Sequence, residues 1–100
     1  MSLSPVAASA AETNFTETAF FSVNAHAEPG VMPRVLELFA KRGLVPSSWR
    51  SAVGGADRAR LTIEIEMSGL GPDNTEYIAA CLRQIASVEA VLTLSPDRSA

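Results

Sequence analysis

Hydrophobic and polar residues alternate along the central part of this chain with two different periods. Three segments place apolar residues at every second position, which is typical of strands with one buried face. These segments are 19–26, 58–67 and 88–94. Two further segments place apolar residues three or four positions apart, which indicates amphipathic helices that begin at Val31 and near Asp73. With a less regular strand at 44–53, the predicted order is strand, helix, strand, strand, helix, strand.

Glycine and capping residues indicate where several of these elements begin and end. The first helix is predicted over 31–42, because Gly43 follows it at the usual position of a left-handed C-terminal cap. Asp73 and Glu76 have the spacing of a capping box, so they predict the start of the second helix. Residues 54–57 predict a hairpin turn between the second and third strands.

The element order predicts an α+β fold with two βαβ-like halves. The simplest closed arrangement is a ferredoxin-like βαββαβ sandwich, in which two helices cover one face of a four-stranded antiparallel sheet. Pro46 has no N–H to donate, so the strand at 44–53 is expected at an edge of that sheet. We expect one domain over 19–94, between a flexible N-terminal tail at 1–18 and a C-terminal tail at 95–100.

Composition narrows the class of protein. The chain has 100 residues, of which 47% are hydrophobic and 19% charged, a balance typical of a globular domain. Its net charge is −3 and it shows no basic face, which disfavours nucleic acid as a partner. It has no apolar run of about 18 residues, so no membrane association is expected. The single cysteine, Cys81, and the absence of a signal-peptide pattern predict a cytoplasmic protein.

Residues that could carry catalysis are scarce. His26 is the only histidine, which excludes a histidine-rich metal site and most catalytic triads. Glu64 and Glu66 share one strand face, but Arg58 and Arg60 lie on the same face and are expected to be their ion partners. We therefore predict no catalytic residue, no metal site and no cofactor.

The connection between the first strand and the first helix is the most informative candidate site. The backbone N–H groups at the start of a helix suit a carboxylate, and Gly30 would let a ligand or a second chain approach the backbone closely. The alternative is that Gly30 only serves a tight turn. The residues predicted to form this effector-binding or interface loop are Ala27, Glu28, Pro29, Gly30, Val31 and Met32.

Residues 27–35, which read AEPGVMPRV, resemble the first loop and helix of the acetolactate synthase small subunit. That family typically has Asn-Glu-x-Gly-Val-Leu-x-Arg-Val here. The resemblance continues through Lys41-Arg42-Gly43 and through residues 60–63, and altogether it spans 20–94. It implies an ACT domain that regulates and activates a thiamine-diphosphate-dependent large subunit in branched-chain amino acid biosynthesis.

The same resemblance implies a homodimer joined through edge strands, with an amino-acid effector bound near the interface. The implied edge-strand residues are Val45, Pro46, Ser47, Ser48 and Trp49. The family's two ligand-binding asparagines align with Ala27 and Val45, whose side chains cannot replace their hydrogen bonds. Weak or absent valine feedback is therefore expected.

The sequence leaves two other functions open. The chain could be a stand-alone ACT domain that senses another, more apolar small molecule, as Ala27 and Val45 would suit. Residues 30–34 also resemble the phosphate loop of acylphosphatases, which share this order of elements. That enzyme reading is weakened by Pro33, which replaces the loop phenylalanine, and by the absence of an asparagine in 44–53.

Overall fold

The computed structural model describes residues 18–94, so both predicted tails, apart from Thr18, lie outside the described residues. It confirms the predicted order of elements. These are β1 (Ala19–His26), α1 (Val31–Lys41), β2 (Ser48–Gly54), β3 (Arg60–Met67), α2 (Pro72–Arg83) and β4 (Val88–Leu94).

The strands form one antiparallel sheet in the order β2-β3-β1-β4. Phe21 of β1 lies opposite Ile65 of β3, and Val23 lies opposite both Ile63 and Val91. Both helices cover the face that carries these residues. This confirms the ferredoxin-like βαββαβ sandwich and places β2 and β4 at the two edges.

The core lies between the helices and this face of the sheet. Phe21 and Phe39 are at most 1% exposed, and their rings meet edge to face with 5.9 Å between centroids. Val31, Val35 and Phe39 are spaced four apart on α1 and are fully buried, as the helical period predicts. Burial of this single face fixes which side of every strand points inward.

The end of α1 follows the predicted pattern. Gly43 has φ +70°, a left-handed conformation that favours glycine, and its N–H donates to the Ala40 carbonyl at 3.0 Å. Arg42, just after the helix, reaches across to α2: its Nη2 donates to the Tyr77 hydroxyl at 3.1 Å and lies 3.7 Å from Cys81 Sγ. This contact joins the two helices side by side, and Cys81 is partly exposed rather than a core residue.

Three predicted boundaries are wrong, each for a local reason. The second strand begins at Ser48 rather than at residue 44, since Pro46 cannot donate to a ladder. The third begins at Arg60 rather than at residue 58, because Arg58 has φ +59° and belongs to the turn. The connection therefore spans residues 55–59, not 54–57.

The predicted capping box at the start of α2 is also wrong. Pro72 opens the helix, because its fixed φ suits the first helical position, and the cap residue is Gly71. Asp73 therefore lies inside the first turn and makes no capping hydrogen bond. Instead, the Thr75 hydroxyl donates to the Gly71 carbonyl at 2.9 Å.

The alternation in β4 is correct, but its apolar side is not the buried one. Val91 faces the helices and is 4% exposed, whereas Leu92 and Leu94 point to the uncovered face and are 66% and 64% exposed. A shift in register between Asn24 and Ala25 of β1 accompanies this arrangement. The uncovered face therefore carries an apolar patch at the β4 edge.

Candidate functional site

The predicted effector loop, residues 27–32, is a tight connection held by backbone hydrogen bonds at both ends. The Ala27 N–H donates to the Ala59 carbonyl at 2.8 Å and ties the loop to the segment before β3. The Val31 N–H donates to the Glu28 carbonyl at 3.1 Å. The loop therefore has a defined path at the end of the sheet where β1 stops.

Glu28 anchors this loop to the turn between α2 and β4. The Ser87 hydroxyl donates to Glu28 Oε1 at 2.5 Å, and the Ser87 carbonyl accepts the His26 N–H at 2.9 Å. Ser87 has φ +77°, a strained conformation for a serine, which these two hydrogen bonds help to maintain. The Glu28 carboxylate thus holds the loop to the turn between α2 and β4.

Gly30 is not required by the geometry of the turn. Its φ is −79° and its ψ −7°, values that any residue adopts, so the tight-turn alternative is wrong. A Cβ at this position would lie 2.6 Å from Arg34 Nη1, the mobile end of an exposed side chain that can move aside. The fold would therefore accept a side chain here once the Arg34 guanidinium moves aside.

The remaining loop residues divide between core and surface. The Val31 side chain is fully buried and packs into the core, so only the backbone of Val31 is left to contact another molecule. Met32 is 38% exposed, and Pro29 and Glu28 are also exposed. The surface that this loop offers is therefore formed by Glu28, Pro29, Gly30 and Met32, with Ala27 partly covered behind them.

The predicted edge strand is open along its outer side. β2 pairs only with β3, so its other edge has no strand beside it within residues 18–94. Ser48 and Trp49 belong to β2, whereas Val45, Pro46 and Ser47 precede it. Trp49 packs partly against the core, while Val53 is 45% exposed on the same side of the strand.

An exposed apolar strip of α1, which was not among the predicted sites, lies beside this edge. α2 packs on β4 and β1, and Arg42 marks the flank of α1 that faces α2. Met32 and Leu36 are four residues apart on the opposite flank, toward β2, and Leu36 is 49% exposed. The signal was present in the sequence, since these two residues widen the apolar stripe of α1 beyond the three that are buried.

The loop and Val45 lie at opposite ends of the sheet. The loop is bonded to Ala59, close to the pairing of Gly54 with Arg60, whereas Val45 precedes the pairing of Ser48 with Glu66. Val45 is 83% exposed. One protomer alone therefore does not bring together the two positions that align with the family's asparagines.

Neither Arg58 nor Arg60 forms an ion pair with Glu64 or Glu66. Arg60 Nη1 lies 3.1 Å from Glu89 Oε1, and His26 Nε2 lies 2.8 Å from Glu89 Oε2. Arg58 lies in the turn before β3. The prediction that these arginines pair with Glu64 and Glu66 is wrong, because the register of β4 brings Glu89 closer to Arg60.

A family model described as an ACT-like domain matches residues 11–98. This chain belongs to the ACT-like domain family. ACT domains are regulatory, small-molecule-binding modules and are not catalysts. Membership therefore disfavours the acylphosphatase-like alternative.

Solved structures of other ACT proteins resemble this ACT-like domain. The ACT domain from GTP pyrophosphokinase of Chlorobium tepidum has a TM-score of 0.64 at 14% identity, covering 78% of this chain and 97% of that one. The regulatory subunit of aspartate kinase from Thermus flavus has a TM-score of 0.59 at 18% identity, covering 77% and 50%. Both likenesses establish the fold alone.

The small subunit of acetolactate synthase from Thermotoga maritima is more similar in sequence. It has 29% identity and a TM-score of 0.63, with 79% of this chain aligned to 48% of that one. The ACT-like domain thus spans about half the length of that subunit. No curated protein sequence matches the chain. Among the helices of residues 18–94, none is both long and apolar enough to cross a membrane.

Proposed function

We propose that this ACT-like domain is a non-catalytic, activating small subunit of acetolactate synthase. The observation that carries the proposal is the loop sequence of residues 27–35 on a fold that aligns with such a subunit at 29% identity. The structure supports the proposal, because Gly30 has a backbone conformation that any residue adopts and lies on an exposed loop at the start of α1.

The proposal includes a homodimer joined through β2. Two copies of an edge strand related by a two-fold axis pair antiparallel and would extend the sheet from four strands to eight. The exposed Val53 and Leu36 would then be covered at the interface, so the apolar strip of α1 would pack against the second copy. Cytoplasmic location is part of the same proposal, as the compartment of such an enzyme.

Antiparallel pairing also explains why two distant positions belong to one effector site. It would place Val45 of one protomer beside residues 27–30 of the second, because these segments lie at opposite ends of the sheet in each copy. A small effector such as an amino acid would bind between the two copies. This arrangement needs no movement inside either protomer.

Valine is expected to bind this chain weakly or not at all. Each lost hydrogen bond to a charged ligand group costs about 1.5–3 kcal/mol, so the absence of both asparagine amides weakens binding roughly a hundredfold or more. Calorimetric titration with valine should show no saturation below the millimolar range, and the double variant Ala27→Asn with Val45→Asn should bind measurably. Equal affinity of the two proteins would contradict the effector site. Ala80→Asn, on the exposed surface of α2, is the control that should gain nothing.

Activation of a catalytic partner is the direct test of the function. The full chain should raise the rate of acetolactate formation by the large subunit from the same source by about fivefold or more, at the lower end of typical coupling between sites. Gly30→Asp should reduce this effect while the fold persists, because the backbone conformation of Gly30 is one that any residue adopts. If the rate is the same with and without the chain, and branched-chain or aromatic amino acids instead raise its melting temperature, it is a stand-alone sensor.

A further inference from the structure

The face of the sheet that the helices leave uncovered forms a trough of about 480 Å³ near the start of β1. One wall is apolar and consists of Phe20, Leu92 and Leu94. The other is charged and consists of Arg50, Glu64 and Glu66. We call this the open-face trough. It lies on the opposite side of the sheet from α1 and does not include the loop at residues 27–32.

The apolar wall exposes more hydrocarbon than the rest of the face. Leu92 and Leu94 are 66% and 64% exposed, and Phe20 lies beside Leu94 in the register of β1 and β4. The patch borders polar residues, since Ser22 lies between Leu92 and Glu64, and Phe20 lies directly beside Glu66. Exposed apolar patches with a polar rim are typical of binding surfaces.

The charged wall has a carboxylate without a cation. Glu66 is half-buried and lies between Ser48 on β2 and Phe20 on β1, so no basic residue is opposite it on either neighbouring strand. Arg50 lies opposite Glu64, but no ion pair within 4.0 Å joins them. Among residues 18–94, the ion pairs involve other side chains: His26 and Arg60 with Glu89, and Lys41 with Glu37.

We propose that the open-face trough binds a small amphiphile with an ammonium group and an apolar chain. The ammonium would lie between the Glu64 and Glu66 carboxylates, whose Cα atoms are about 7 Å apart on one strand face. The apolar chain would run across β1 to Leu92 and Leu94, two strand spacings or about 10 Å away. That span accommodates an amine with about four to six carbons.

A second copy of the same face is a poorer occupant. The trough carries two carboxylates against one guanidinium, so two stacked troughs would bring excess negative charge together. A ligand with a positive group compensates that excess, while its hydrocarbon covers the leucines. Charge complementarity therefore favours the ammonium amphiphile.

Titration of the ¹⁵N-labelled full chain with 3-methylbutylammonium chloride tests the proposal by NMR. We expect saturable shifts at the amides of Phe20, Glu66 and Leu92, with a dissociation constant on the order of a millimolar, as expected for so small a ligand. Methylammonium has the charge without the chain, and 3-methylbutanol the chain without the charge. Each should bind at least about threefold more weakly.

Variants separate the two walls of the trough. Glu66→Gln should weaken binding about threefold to fivefold, the range of a partly exposed ion pair, whereas Glu76→Gln on the exposed surface of α2 should leave it unchanged. Leu92→Thr should weaken binding of 3-methylbutylammonium but not of methylammonium. Arg50→Gln should strengthen binding, because it removes a competing cation.

Three results would overturn the assignment. They are shifts confined to other parts of the chain, equal midpoints for 3-methylbutylammonium and methylammonium, and equal affinities of the wild type and Glu66→Gln. Circular dichroism melting of each variant establishes that it is folded. Leu92→Thr and Glu66→Gln probe opposite walls of the trough, so either variant suffices as a test if the other unfolds. The outcome is independent of whether the chain activates acetolactate synthase.

Discussion

Phe21→Ala is expected to lower the free energy of unfolding by about 3–5 kcal/mol, because it empties the centre of the core. Phe21 is 1% exposed and meets the Phe39 ring at 5.9 Å. A domain of this size has a total stability of about 5–10 kcal/mol, so the variant would keep little of it. The melting temperature should fall by about 15 °C or more, as measured by circular dichroism or calorimetry.

Phe20→Ala is the matched control, since it removes the same side chain from the adjacent position. Phe20 points to the uncovered face and is half-buried, so its loss should cost only about 1 kcal/mol. The two variants thus measure which face of β1 carries the core. Similar losses for both, or a larger loss for Phe20→Ala, would show that the register of β1 against α1 is wrong.

Leu36→Lys is expected to convert the proposed dimer into monomers. Leu36 is 49% exposed on the flank of α1 that faces β2, and two-fold symmetry would bury two lysines in the interface at once. Loss of a central apolar contact raises the dissociation constant of a dimer at least about thirtyfold. Sedimentation velocity at low micromolar protein should show the change in mass. Activation of a large subunit should weaken in parallel if the dimer is the active form.

Leu94→Lys makes the same chemical change at the other edge of the sheet. Leu94 is 64% exposed on β4, so the lysine should leave both the fold and the dimer intact. A wild-type protein that is monomeric at all concentrations would remove the dimer from the proposal. A dimer that dissociates with Leu94→Lys and persists with Leu36→Lys would place the interface at β4 instead.

The fold was predictable because its signals are local. The alternation of residues 61–67 and the four-residue spacing of Val31, Val35 and Phe39 both report which side of an element is buried. Gly43 could be assigned as a helix cap because a left-handed residue favours glycine wherever it occurs. The predicted boundaries failed where two local signals competed, as at Pro72, which begins α2 before Asp73 can act as a cap.

The candidate sites were only partly predictable. Pro46 predicted the edge position of β2, because proline cannot donate to a ladder, whereas the role of the loop at residues 27–32 stays a prediction. The sequence shows that Met32 and Leu36 widen the apolar stripe of α1, but only the packing of α2 on the opposite flank decides that these two residues stay exposed. The sequence also paired Arg60 with the wrong carboxylate, since Glu89 is distant in sequence.

The sequence by itself determined the kind and order of the elements and the edge position of β2. Only the tertiary structure decided which apolar residues stay exposed. Leu92 and Leu94 follow the same period-two pattern as the buried strands, yet they face outward, because both helices pack on the side of Val91. Alternation along a strand defines two faces, but the helices decide which of them is covered.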